Sequence, residues 1–272
     1  MSVSSSPLPR AVVVDRLRAA GCVFAEDEAA LLIAAARTPD ELAALVDRRV
    51  AGLPLEQLLG WADFCGLRIL VDPGVFVPRR RTALLVSEAA ALSRDVAARP
   101  DHVSGAPVVV DLCCGSGAVA AVLVARLDPV EVYAADIDPA AVACARRNLG
   151  DAQVYEGDLF DALPAELRGR VDVLVANVPY VPTDAIGLMP PEARDHESPV
   201  ALDGGTDGLA VVRRVAAGAP EWLAPGGSLL VETSERQAPR ALETFAGHGL
   251  RARVARSEEL GGTVVVGTRP GL

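Results

Sequence analysis

The chain has 272 residues, 51% hydrophobic and 23% charged, a composition that suits a globular protein with one large domain and a smaller one. Its formal net charge is −10 and it contains no lysine, so broad binding of nucleic acid or of an anionic membrane, which draws on basic surface, is not expected. No uninterrupted apolar run reaches the ~18 residues of a membrane span, and residues 1–21 show no apolar core behind a basic start, so no secretory signal is expected either.

Residues 10 to 58 read as three short amphipathic helices. RAVVVDRLRAAG (10–21) stops at Gly21, and EDEAALLIAAARTP (26–39) opens with acids and ends before Pro39. PDELAALVDRRVAG (39–52) has a proline start, early acids, late arginines and a final glycine. WADFCGLRILVDPGVFVP (61–78) reads as short extended segments joined by turns at Gly66 and Asp72-Pro73-Gly74, a β-hairpin bridge.

Near residue 80 the pattern changes. Residues 81–99 are helical. Apolar strands at 107–114, 131–137, 152–158, 171–178 and 226–233 then alternate with helices at 117–127, 138–150, 207–223 and 234–249, and strands at 251–257 and 262–269 close the chain. Strands apolar on both faces, alternating with helices, predict an α/β fold with a doubly wound, mostly parallel sheet of seven strands covered on both sides. The last two strands have no helix between them, which predicts one antiparallel strand at the edge. The expected domains are residues 1–59, helical; 60–79, the hairpin linker; and 80–272, the sheet domain. Residues 181–206, rich in proline and acids, read as a long functional loop.

VVVDLCCGSGAVA places Asp111 at a strand end, followed by Gly115-Ser116-Gly117 leading into a helix, the strand-to-helix turn at which doubly wound sheets bind ligands. Asp136 ends the next strand, where a carboxylate accepts both hydroxyls of a ribose. Asp138, ahead of Pro139, is the better cap for the following helix and leaves Asp136 for a ligand. This pairing fits NAD as well as S-adenosylmethionine, and residues 115–120 satisfy the loose G-x-G-x-x-A form of a dinucleotide loop. EGDLF then puts Asp158 and Leu159 where an adenine edge and face would lie. The five cysteines, Cys22, Cys65, Cys113, Cys114 and Cys144, are odd in number in a large chain, so a reduced, cytoplasmic protein is expected. Cys113 and Cys114 have no CxxC spacing or neighbouring histidine, so no metal site is expected there.

The fourth strand of this series ends in Asn177-Val178-Pro179-Tyr180. The Asn177 side-chain oxygen and the Val178 carbonyl are two acceptors, Pro179 rigidifies the turn between them, and Tyr180 offers a flat wall. Together they describe a socket for the –NH2 of an amide or of an exocyclic base amine. That socket tips the cofactor reading toward S-adenosylmethionine and methyl transfer to nitrogen, in which oriented acceptors aim the nitrogen lone pair.

At these residues the chain resembles the HemK/PrmC family of S-adenosylmethionine-dependent glutamine N5-methyltransferases. The resemblance rests on DLCCGSGA, AADIDPAAVACARRN, GDLF, NVPYVP, PEARDHESPVALDGGTDGL and LAPGGSLLVE in family order, preceded by the linker RRVAGLPLEQLLGWADFCGLRILVDPGVFVPRRRTALLV. It implies a class I methyltransferase fold and a cofactor site including Asp111, Cys113, Cys114, Gly115, Ser116, Gly117, Asp136, Asp158, Leu159 and Asn177. It also implies a helical N-terminal domain that helps dock a protein substrate, the Gly-Gly-Gln loop of a class I peptide-chain release factor. Three positions depart from the family. Val178 replaces a proline. Cys113 replaces the first loop glycine, so its backbone is expected to avoid positive φ. The linker motif, close to Arg-Pro-x-Thr-Glu in the family, reads Arg79-Arg80-Arg81-Thr82-Ala83, which leaves the cognate target open. Two other readings stay in play: an N-methyltransferase of nucleic-acid bases, which would need a basic channel and stacking aromatics where the chain has 4% aromatic residues, and a non-catalytic cofactor-binding protein.

Overall fold

Four helices precede the first strand: α1 (Arg10–Ala19), α2 (Ala25–Ala35), α3 (Pro39–Val50) and α4 (Leu55–Leu59). The computed structural model describes residues 8–99, 105–150 and 153–271. Residues 1–7 of the expected helical domain and of the segment read against a secretory signal, Ala152 at the head of one expected strand, and Leu272 lie outside the described residues. Val13, Leu17, Ala29, Leu32 and Val46 form the bundle's core. Thr38 caps α3 by accepting from the Glu41 amide (3.1 Å), with Pro39 in its first turn. The fourth helix is an addition to the three expected. Five residues between Pro54 and Gly60 are too few to display a helical period.

The hairpin consists of β1 (Trp61–Phe64) and β2 (Leu67–Leu70), joined by Cys65 and Gly66, both at positive φ (54° and 86°), as a tight primed turn demands. Beyond β2 the expected extended run makes, among the described residues, one isolated bridge, Gly74 to Glu197.

After α5 (Ala83–Ala97) the chain runs β3 (Val108–Leu112), α6 (Ala118–Arg126), β4 (Glu131–Asp136), α7 (Pro139–Leu149), β5 (Gln153–Glu156) and β6 (Val171–Ala176). It continues through α8 (Pro191–His196), α9 (Ala210–Trp222), β7 (Leu223–Glu232), α10 (Ala238–Gly247), β8 (Arg251–Ser257) and β9 (Gly262–Thr268). The seven-stranded sheet has the order β5-β4-β3-β6-β7-β9-β8. Alternate residues of each strand feed opposite faces. Val110, Leu112, Leu174 and Leu229 pack with Val212, Val215 and Phe245 of α9 and α10. Val109, Val173, Val175 and Leu230 pack with Leu85, Ala89 and Val122 of α5 and α6.

The reversed strand is not at the edge. β9 runs antiparallel to both neighbours and lies between β7 and β8, while β8 forms the edge. The residues explain the swap: β9 is buried through Val264–Val266, as an inner strand must be, whereas β8 carries Arg251, Arg253 and Arg256, charges that protect an open edge.

The segment 181–206 is ordered by two short 3₁₀ turns and α8. It is tied to the helical bundle. Arg49, buried in α3, pairs with Glu28 (2.6 Å) and with Glu192 of α8 (2.7 Å). Gln57 of α4 donates to the carbonyls of Val75 and His196, both at 3.2 Å. No helix among the described residues is long and apolar enough to cross a membrane.

Candidate active site

The chain leaves β3 toward β4 on one side and returns at β6 on the other, so the carboxyl ends of β3 and β6 form a topological switch point, where open α/β sheets hold ligands. A cavity of about 350 Å³ opens there. Asp111, Cys113, Cys114, Gly115, Ser116, Asp136, Asn177, Val178 and Tyr180 all line it. Four other expected site residues do not. Pro179 is buried beneath the turn, and Gly117 caps α6 at φ +76°, where an added Cβ would stand 3.1 Å from Ala145, so helix packing is what demands that glycine. Asp158 pairs with Arg214 (2.7 Å), and Leu159 is buried in the sheet's core with Tyr133 and Ala135. The expectation that Cys113 avoids positive φ is corrected: φ is +56°, the left-handed region, because the chain must turn directly from β3 into the glycine loop.

Asp111 is 1% exposed, and its Oδ2 accepts from the Ala120 amide (3.1 Å) in the first turn of α6, so it caps that helix from within the sheet. Burial pushes its carboxyl up to about 7, and the nearby Asp136 carboxylate adds to the rise. Asp136 bridges two tips: Oδ2 accepts from Gly115 N (2.8 Å) and Oδ1 from Asp138 N (2.9 Å). Burial raises its pKa as well, against the pull of those amides. Asp138 caps α7 through Ala140 N (2.9 Å), which relieves Asp136 of that duty. Burial also raises both loop thiols, Cys113 and Cys114, so they are protonated and unreactive at neutral pH.

Asn177 sits one residue past β6, half-buried, and among the described residues its side chain has no hydrogen-bond partner. The Val178 side chain belongs to the core under α9, so the backbone is what this position offers the cavity. Tyr180 donates to Oε1 of Glu232 (3.2 Å), which also accepts from Arg81 Nε (3.1 Å), and the Arg81 guanidinium lies 5.8 Å from the Tyr180 ring centre. Burial and the Glu232 carboxylate push the Tyr180 phenol up to about 12, so it stays protonated and its ring is held as a neutral wall.

Three buried groups escaped the sequence reading. Glu197, its side chain fully buried, accepts from Val77 N (3.1 Å) and Arg79 (2.6 Å) through Oε1. Among the described residues its Oε2, the Thr82 hydroxyl and Oε2 of Glu232 have no hydrogen-bond partner, and Glu197 and Thr82 line the cavity. Their signal in the sequence was faint: a lone acid in an irregular loop, and a threonine in a run read chiefly for its arginines.

The residues fit S-adenosylmethionine. A Cβ on Gly115 would stand 4.0 Å from the Phe76 Cβ, and both residues line the cavity, so the glycine keeps that space free for a ligand. Two carboxylates, Asp111 and Asp136, face the same space and suit a ligand with a cationic end and hydroxyls. The unpartnered Thr82 hydroxyl supplies a further polar contact.

Residues 67–188 match the family model described as the methyltransferase small domain. Over 240 residues the chain is 38% identical to the release factor glutamine methyltransferase of Geobacter sulfurreducens, covering 86% of this chain and 80% of the relative. It is 39% identical over 196 residues to the 4-amino-L-phenylalanine/4-methylamino-L-phenylalanine methyltransferase of Streptomyces pristinaespiralis, covering 71% and 65%. Among solved structures it is similar to a methyltransferase from Pyrococcus furiosus, with a TM-score of 0.55 at 15% identity over 76% of this chain and 91% of that one, a likeness of fold alone.

Proposed function

The chain belongs to the release factor glutamine methyltransferase family, and from that premise we propose that it methylates the side-chain nitrogen of a protein glutamine, that of the Gly-Gly-Gln loop of a peptide-chain release factor. The observation that carries this reading is Asn177, an amide without a hydrogen-bond partner among the described residues, at the tip of β6, lining one cavity with the glycine loop and Asp136.

Bound S-adenosylmethionine supplies an electrophilic methyl group on a sulfonium. Asp136 would hold the ribose hydroxyls, Asp111 would take the cationic amino-acid end, and residues 113–116 line the same cavity. On the acceptor side, the Asn177 side-chain oxygen and the Val178 carbonyl each accept one N–H of the –NH2. Held this way, the nitrogen is drawn out of amide conjugation and its lone pair is aimed at the methyl carbon. The same two oxygens would stabilise the positive charge that grows on nitrogen as the N–C bond forms and the methyl carbon–sulfur bond breaks, the sulfonium leaving as a neutral thioether. The Tyr180 ring confines the planar group, and Glu232 holds that ring in place. The methylated nitrogen then loses a proton readily, so no ionised base is needed before transfer.

Valine in place of the family's proline keeps the carbonyl, the only atom of that position the chemistry uses. An arylamine –NH2 fits the same pair of acceptors, and 39% identity to a methyltransferase of 4-amino-L-phenylalanine makes that amine the second acceptor to test. Transfer of labelled methyl to a release factor, to its Gly-Gly-Gln peptide and to 4-amino-L-phenylalanine separates the readings. Label at the glutamine nitrogen is expected. Label in the arylamine alone would move the substrate class, and label in neither would overturn the assignment.

A further inference from the structure

Behind the Asn177–Tyr180 turn, on the side away from the cavity, stands a residue that the chemistry above does not use. Gln237 precedes α10 and is half-buried. Its Nε2 donates to the Tyr180 carbonyl (2.9 Å) and to the Asp207 carbonyl (3.2 Å). Its Oε1 accepts from the Ser234 hydroxyl (2.5 Å), with the Ser234 amide and the Thr233 hydroxyl at 3.4 Å. Two carbonyls on one side and hydroxyl and amide donors on the other leave a single sensible orientation for the carboxamide.

The segment ALDGGTDGL closes around the same turn. A Cβ on Gly208 would lie 2.2 Å from Gln237 Nε2 and 2.3 Å from the Tyr180 carbonyl oxygen. A Cβ on Gly204 would lie 2.8 Å from the Pro179 oxygen and 2.8 Å from Tyr180 Cα. The Gly204 amide donates to the Val181 carbonyl (2.8 Å), and the Val181 amide donates to Leu202 (3.1 Å). The two glycines therefore let one stretch of backbone lie directly on another, and Gln237 pins the pair from the far side.

We propose that Gln237 is a positioning residue for methyl transfer: by holding the Tyr180 carbonyl and the 202–208 segment together it sets the direction of the Asn177–Tyr180 turn, and so the convergence of the two acceptors. The proposal rests on the reading of Asn177 and Val178 as the acceptor socket. Its physical basis is that preorganised dipoles act only when aimed. A misplacement of about 1 Å costs on the order of 100-fold in rate.

Gln237→Glu keeps the size of the side chain, loses both donated bonds and sets an anion against two carbonyls. It is expected to lower kcat toward the Gly-Gly-Gln peptide by about 10- to 100-fold. The dissociation constant of S-adenosylhomocysteine should stay within about twofold, since the glycine loop and Asp136 are untouched. Gly208→Ala should behave alike. Ser234→Ala, which frees the carboxamide oxygen without a new charge, should give a smaller loss of the same kind. Hydrogen exchange measured by mass spectrometry on the S-adenosylhomocysteine complex should show faster exchange across residues 178–183 and 203–210 in Gln237→Glu, with β3 and β4 unchanged. Wild-type kcat, a loss matched by an equal loss of cofactor affinity, or unchanged exchange in the turn would each overturn the proposal. If Gln237→Glu does not fold, Ser234→Ala decides by the same readouts. If the wild-type protein leaves the peptide unmethylated, the substrate reading is what fails, and the exchange comparison still decides the role of Gln237.

Discussion

Asn177 is placed to act without being needed for folding. It lies past the last ladder residue of β6, and its amide serves no partner among the described residues. Asn177→Ala is accordingly expected to cut the transfer rate by about 100-fold or more while cofactor affinity falls only a few-fold. A rate near wild type in single-turnover assays would remove it from the mechanism. Asp136→Ala should act on the other side, raising the cofactor dissociation constant by about 10- to 100-fold through the loss of charge-assisted hydrogen bonds. Calorimetry that finds tight binding would reject the ribose role. Asp111 brings a pH dependence whose sign follows from its pKa, which burial raises from 3.8 to about 7. Without ligand the folded protein keeps a proton that the unfolded chain releases, so this group's contribution to stability is full at low pH and is lost as pH rises through about 4 to 7. A cationic ligand end requires the carboxylate, so cofactor binding should release a proton and tighten as pH rises to about 7, then level off. Asp111→Asn should flatten both profiles, and a wild-type affinity independent of pH across that range would exclude the contact. Cys113 shows what residue identity alone could not predict: the turn out of β3 imposes φ +56° on a cysteine, and the surrounding loop carries that cost.

Among the elements, α3 and α8 are joined by one side chain. Arg49 is 6% exposed and pairs with Glu28 in the bundle and Glu192 at the cavity. Arg49→Met would leave the Glu28 carboxylate buried without its cation and is expected to cost about 3–5 kcal/mol in denaturant unfolding. Arg49→Met with Glu28→Leu should recover much of that loss, and a single variant as stable as wild type would show that the pair contributes little. The strands illustrate where element reading succeeds. Apolar runs and their alternation with helices marked the strands of a mostly parallel sheet, whereas the reversed strand, expected at the edge, is β9, inside β8. Helix α4 and the short turns of 181–206 were hidden because five or six residues cannot show a period, and their order comes from contacts such as Gln57 to His196.

At the scale of the whole molecule, one cavity is walled by four pieces distant in sequence: Pro54 and Glu56 of the bundle, Phe76 and Thr82 between the hairpin and α5, the sheet's carboxyl edge, and Met189 and Glu197 of the 181–206 loop. A ligand in it should stabilise the entire fold. S-adenosylhomocysteine at 100 times its dissociation constant is expected to add about 2.7 kcal/mol in a single thermal transition. A second transition that ignores the ligand would show the bundle unfolding apart from the sheet domain. Read alone, the chain determined the alternation of strand and helix, the strand ends that carry Asp111, Asp136 and Asn177, and the capping of α7 by Asp138, because these depend on local periodicity and turn chemistry. Only the tertiary structure decided that β9 lies inside β8, that Asp158 turns to Arg214, that Glu197 and Thr82 meet the cavity, and that Gln237 reaches Tyr180 across 57 positions. Those facts depend on which distant segments share space, and no local pattern encodes a partner that far along the chain.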